Sequence, residues 1–118
     1  MGVDLKAVQA LDLWRGAIVE SVRREAPDLS ARQMALVLTV YLTAPPHTVR
    51  GLATALNISK PAITRAIDRL SEYGLIRRKV DDTDRRSVLI QRTVKGSVFL
   101  REFGDIIVSA AAETHAPT

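Results

Sequence analysis

Apolar residues recur at helical spacing along most of this chain, and one short central stretch breaks the rhythm. Leu5, Val8, Leu11, Ile18 and Val22 follow one another at intervals of three, four or seven, and Trp14 and Ala17 widen that stripe. The pattern predicts a helix over residues 3–26, with Asp4 at its start and Pro27 ending it. Ser30 with Gln33 three residues on has the form of a capping box. After it, Met34, Leu36, Val37, Leu38, Val40, Tyr41 and Leu42 are apolar nearly all round, which predicts a central buried helix ending before Pro45 and Pro46.

The next elements are shorter. Thr48 caps a helix to about Ala55, and Leu56-Asn57-Ile58 forms a tight turn in which Asn57 best tolerates a left-handed backbone. Ser59 caps a fourth helix with Pro61 in its first turn, where no amide donor is needed. Ile63, Ile67 and Leu70 are its inward stripe, and Gly74 its C-terminal cap. Strands are expected over 75–80 and 87–91, flanking the polar run Asp81 to Arg86. Thr93 caps a last helix to about Glu113, with Val98, Phe99, Phe103, Ile106, Ile107 and Ala110 as its apolar face, and the tail after it is expected to fray. The fold class is therefore mainly α with a small β-hairpin wing. About five helices form one domain over 1–118, with a winged helix-turn-helix at 48–96. The stripe carrying Phe99, Phe103, Ile106 and Ile107 is a candidate partner surface.

Composition narrows the class. The chain has 118 residues and no cysteine, so disulfides and thiolate metal sites are excluded. No signal peptide is expected from Met1 to Lys6, and no apolar run is long enough to span a membrane, so a cytoplasmic location is expected. Charge is unevenly placed. Residues 48–96 hold eleven Lys or Arg against five Asp or Glu, while the remainder holds six against eight. A basic centre between slightly acidic flanks fits a polyanion partner. The plainer alternative is a solvated charged surface.

In a helix-turn-helix the second helix enters the major groove and the first braces it. Ala53 is small where the brace must cross, and Leu52, Leu56, Ile58, Ile63, Ala66 and Ile67 can lock the pair. The other face of the fourth helix then carries Ser59, Lys60, Thr64, Arg65, Asp68 and Arg69. Ser59 and Lys60 lie where backbone donors favour a phosphate. Thr64 and Arg65 lie one turn in, where base edges are met, and arginine can pair bidentately with guanine. Arg69 is placed for a phosphate, and Asp68 for an intrahelical pair with Arg65 or Arg69.

The pieces LATALNISKPAITRAIDRLSEYGLIRR, DDTDRR and TVKG, between Thr48 and Gly96, resemble the MarR family of winged-helix regulators. The resemblance implies a homodimer on a pseudo-palindromic DNA site, with the helices at 3–26 and 94–113 building the dimer. It also implies wings in the flanking minor grooves and a small aromatic or anionic effector that lowers DNA affinity. The DNA-contacting set is then Ser59, Lys60, Pro61, Thr64, Arg65, Arg69, Arg85 and Arg86. Thr83 stands where the family wing usually has a minor-groove arginine. Arg85 is the expected substitute, and Arg86 matches the last wing arginine, placed to pair with Asp81 or Asp84. Arg92 replaces a usual leucine, and the last helix is followed by little chain, so dimerisation is expected either to lean on the first helix or to be weaker.

Other chemistry is thinly supported. Trp14, Arg15, Tyr41 and His47 are the candidates for an effector crevice, though aromatics on helical stripes are more often core. His47 and His115 read as solvated, with no second ligand at metal spacing. The Asp81, Asp82 and Asp84 run lacks the glycine and distal glutamate of a calcium loop. No nucleophile–base grouping or phosphate-cradling glycine loop is visible, so neither an enzyme nor a cofactor is expected. The rival to DNA binding is a protein-interaction module on the same scaffold.

Overall fold

The structure is a computed structural model and describes residues 5–114. Its elements are α1 (Ala7–Arg23), α2 (Ala31–Leu42), α3 (Val49–Leu56), α4 (Lys60–Glu72), β1 (Ile76–Val80), β2 (Val88–Arg92) and α5 (Val94–Glu113). Among the described residues, no helix is long and apolar enough to cross a membrane. The five helices and the antiparallel hairpin appear in the order the sequence predicts. The first helix is shorter than expected: Lys6 takes the N-cap position, its amide donating to the Gln9 side chain at 3.0 Å. The expected cap Asp4, like His115, lies outside the described residues.

The capping chemistry explains where the other helices start. Ser30 Oγ accepts from Gln33 N at 3.1 Å while Gln33 Oε1 accepts from Ser30 N at 2.9 Å, the reciprocal pair of a capping box. Thr48 and Ser59 accept from the third amide of α3 and α4. Asn57 takes the left-handed conformation at φ 53° and ends α3. Gly74, at φ 77°, ends α4: its amide bonds Ser71 O and the Leu75 amide bonds Leu70 O. That pairing is a Schellman motif, closed by the buried side chains of Leu70 and Leu75.

The chain divides into two units. The first, residues 29–99, holds α2, α3, α4, the hairpin and the first turns of α5. Leu36, Val37, Val40, Leu52, Ile63, Ile67, Leu70, Leu75, Ile76 and Ile90 are its buried core. The hairpin pairs Ile76 with Arg92 through to Val80 with Val88. Thr48 adds an isolated bridge to Leu89, and Ile90 N donates to His47 O at 2.8 Å, so the segment before α3 borders the outer side of β2.

One hydroxyl ties this unit together. Tyr41 Oη donates to Leu75 O at 2.5 Å and accepts from Thr93 N at 2.9 Å. Thr93 in turn donates from Oγ1 to Gly74 O at 2.7 Å and accepts from Gly96 N at 2.9 Å, capping α5. Beside it Arg92, the unusual cation, donates from Nε to Val40 O at 3.0 Å and from Nη2 to Thr43 O at 3.1 Å. It thereby satisfies carbonyls at the end of α2, where a positive charge is favoured.

The second unit comprises the chain up to Asp28 and from Leu100 onward. Ala17, Ser21 and Phe103 are its buried residues, with Trp14 edge-on to Phe103 at 6.4 Å and Arg24 over the same ring at 5.9 Å. The α1 stripe of Leu5, Val8, Leu11, Ile18 and Val22 is exposed, because α1 buries its Ala17–Ser21 side instead. On α5, Phe99 and Phe103 are buried and Ile106 and Ile107 half-buried, so that face is largely used within the chain and is not an open partner surface.

A Cβ added at Gly96 would lie inside van der Waals contact of the Tyr41 hydroxyl and the Leu75 carbonyl oxygen, neither of which can move without breaking the tie. Gly96→Ala is expected to destabilise the protein by about 2–4 kcal/mol, at or above the usual cost of overpacking. Urea unfolding followed by circular dichroism measures it, with Gly104→Ala as the control, since a Cβ at Gly104 meets nothing.

Candidate nucleic-acid interface

Helix α4 sorts its residues by rotation. At about 100° per residue, Ala62, Ile63, Ala66, Ile67 and Leu70 fall on one side, and all five are buried. Pro61 and Asp68 centre the opposite side, with Thr64 and Arg65 about 50° to either side of that centre. Lys60 lies at one rim of that exposed face and Arg69 at the other. Pro61 is exposed in the first turn, and Thr64 and Arg65 are exposed one turn further on. The apolar content of the turn before α4 explains this orientation: Leu52 and Ala53 of α3 are buried, and the left-handed Asn57 lets α4 set off across them.

The cations differ in what they already hold. Arg69 Nη1 donates to Glu72 Oε2 at 3.0 Å and its guanidinium lies 5.1 Å from the Tyr73 ring centre. The hydrogen bond to Glu72, with Tyr73 adding to it, raises the Arg69 pKa above its ordinary value. Asp68, expected to pair within α4, pairs instead with Arg78 of β1. The hairpin brings Arg78 to the helix, a contact no local spacing rule could reveal. Among the described residues, Lys60, Arg65 and Arg85 make no ion pair, so their charge is available to a ligand.

The wing tip is built from short side-chain turns. Asp81 Oδ1 accepts from Thr83 Oγ1 at 2.7 Å and from Thr83 N at 2.9 Å. Asp84 Oδ1 accepts from Arg86 N at 3.1 Å and from Arg86 Nε at 3.4 Å. Thr83, standing in place of an arginine, therefore closes a turn that holds the tip in shape. Arg86 pairs with Asp84, and Arg85 is exposed beside it.

The four residues considered for an effector crevice are dispersed between the two units. Trp14, half exposed on α1, faces Phe103, and Arg15 is paired with Asp12 at 3.0 Å. Tyr41 has its hydroxyl committed to Leu75 and Thr93. His47 is not the solvated loop residue the sequence suggests: it is 8% exposed, with Nε2 3.3 Å from Thr43 O. It lines a cleft of about 260 Å³ with Val40, Pro45, Gln91 and Arg92. Among the described residues, no group of three His, Asp or Glu side chains could hold a metal ion.

A brace helix, a left-handed turn, a helix with a polar outer face and a two-stranded wing define a winged helix-turn-helix. The chain belongs to the MarR family, which it matches over residues 29–88. Solved structures share the fold. MepR of S. aureus in its DNA complex is 22% identical, with a TM-score of 0.71 over 86% of this chain and 81% of MepR. YusO of Bacillus subtilis is 19% identical, with a TM-score of 0.73 over 91% of this chain and 74% of YusO. CouR of Rhodococcus jostii RHA1, bound to p-coumaroyl-CoA, is 24% identical, with a TM-score of 0.65 over 90% of this chain and 71% of CouR.

The wing turn carries a pH signature. The Thr83 hydroxyl, and then its amide, hold Asp81 below its ordinary pKa of 3.8. A lowered carboxylate pKa stabilises the fold above the ordinary value, and that contribution is lost as pH falls through the lowered one. In an amide NMR titration the Thr83 resonance should move with a midpoint below 3.8, and Thr83→Val should raise that midpoint.

Proposed function

We propose that this chain is a sequence-specific double-stranded DNA-binding transcriptional repressor, acting as a homodimer and released by a small aromatic or anionic effector. The observation that carries the reading is the outer face of α4. It combines an uncommitted Lys60 and Arg65 with a small, polar Thr64, on a helix held by a buried inner stripe. The major groove of B-DNA is about 12 Å wide and admits one helix. In this reading Thr64 and Arg65 meet base edges. Ser59, Lys60, Pro61 and Arg69 lie along the backbone, and Arg85 takes the minor-groove role with Arg86 behind it.

Dimerisation is supported by α1. Val8, Leu11, Ile18 and Val22 stand on one face at heptad-like spacing, and Leu11 is 70% exposed. An apolar stripe of that length on a charged chain fits a second copy of itself. The effector part rests on family membership and on CouR having been solved with p-coumaroyl-CoA. The cleft of about 260 Å³ beside His47 and Arg92 is a candidate seat for such an effector.

Selection of duplexes from a random pool, followed by fluorescence anisotropy, tests the DNA reading. Arg65→Ala should weaken the selected duplex by about 1–3 kcal/mol and relax preference at one position. Lys60→Ala should weaken all duplexes alike and reduce the salt slope by about 0.9. Binding that ignores sequence and both substitutions would refute it. For the dimer, Leu11→Asp should shift the sedimentation coefficient to that of a monomer, while the exposed Val94→Asp on α5 should not.

A further inference from the structure

Three helices of the wing unit begin with a cation where an acid would be favoured. The peptide dipoles of a helix leave its N-terminus partly positive, so acidic residues are favoured there and cations are not. Yet α2, α3 and α4 have no acidic residue in their first turns. Instead Arg32 is the second residue of α2, Arg50 the second of α3 and Lys60 the first of α4. All three side chains are exposed, and among the described residues none makes an ion pair. In the free protein this arrangement is unfavourable three times over.

The same cations line two clefts. In the first, Arg50 and Lys60 meet Arg86 of the wing around a space of about 520 Å³, with Thr48, Val49 and Ser87 on its walls. Asp84 also lines it, paired with Arg86, which leaves the surplus positive charge of Arg50 and Lys60. In the second, Arg32 and Arg65 face a space of about 170 Å³, with Ser30, Gln33, Ala62 and Ala66 around them. The two clefts lie on different sides of α4. Lys60 belongs to one and Arg65 to the other, about 140° apart around the helix axis.

A helix lying in a major groove has one sugar-phosphate strand along each side. We propose that each cleft seats a phosphodiester of one strand, with Arg50, Lys60 and Arg86 holding one and Arg32 holding the other. The duplex then supplies the anion that each helix start lacks. Seated on both sides, α4 presents Pro61, Thr64, Arg65 and Asp68 to the groove floor. Arg32 and Arg50 are thus positioning residues that set register and orientation without reading sequence. This inference rests on the DNA-binding reading above.

The test uses Arg32→Gln and Arg50→Gln, singly and together, with Arg101→Gln on α5 as control. Glutamine keeps the helix propensity and removes the charge. Binding to a pool-selected duplex and to a scrambled one is followed by anisotropy across a salt series. Each single change should lower affinity for both duplexes by the same factor and reduce the salt slope by about 0.9, and the double by twice that. The melting temperature of the free protein should rise by a few degrees in each, a gain that loss of a merely structural residue would not give. Arg101→Gln should leave the slope unchanged. Wild-type protein that binds selectively, with slopes unaltered in the Arg32 and Arg50 variants or melting temperatures lowered, would overturn the inference alone. Wild-type protein that binds no duplex at any salt concentration would overturn the functional reading and the inference together.

Discussion

The tyrosine hydroxyl at the end of α2 is the constraint from which the wing unit takes its form. Three chain segments that are far apart in sequence need their polar backbone groups satisfied at one half-buried point: the exit from α4, the return from β2 and the start of α5. Tyr41 serves the Leu75 carbonyl and the Thr93 amide, and Thr93 serves the Gly74 carbonyl and the Gly96 amide. A buried polar group left without a partner costs about 1–3 kcal/mol, so removing the hydroxyl exposes more than one such debt. It also explains why a glycine stands in the first turn of α5, where any side chain would occupy the space of the hydroxyl. Arg92 reinforces the same corner by receiving the end of α2.

The order of elements was legible because each boundary has local chemistry. Ser30 with Gln33, Thr48, Asn57, Ser59, Gly74 and Thr93 each solve a problem posed by their immediate neighbours, and each does in the structure what its type suggests. The inner stripe of α4 was legible for the same reason: periodicity alone separates Ile63, Ile67 and Leu70 from Thr64 and Arg65.

What sequence could not show were contacts between distant segments. Asp68 had two good partners within its own helix and took Arg78 from the hairpin instead. His47 sits among prolines, a setting that suggests exposure, yet β2 runs alongside it and buries the ring. Tyr41 looked like one more core aromatic, since the value of its hydroxyl depends on groups thirty-four and fifty-two positions away. The apolar stripes of α1 and α5 were visible, but periodicity does not say which stripe a chain uses for itself and which it leaves outward. The charge surplus of the centre was plain, but its concentration into two clefts depends on how α2, α3, α4 and the wing meet.

The hairpin has one side closed and one open. β2 is bordered by β1 and by the bridge from Thr48, whereas β1 has no second neighbour among the described residues. A strand with free amides and carbonyls invites another strand to dock, which is how folded proteins begin to aggregate. Here that strand reads Arg77, Arg78, Lys79, three cations in succession, all exposed. Two such edges brought together would set these cations against one another, with Asp68 and Asp82 offsetting part of the charge. The basic run therefore acts as a guard on the molecule's solubility, independent of any partner, and trimming it to neutral residues would trade that protection for self-association.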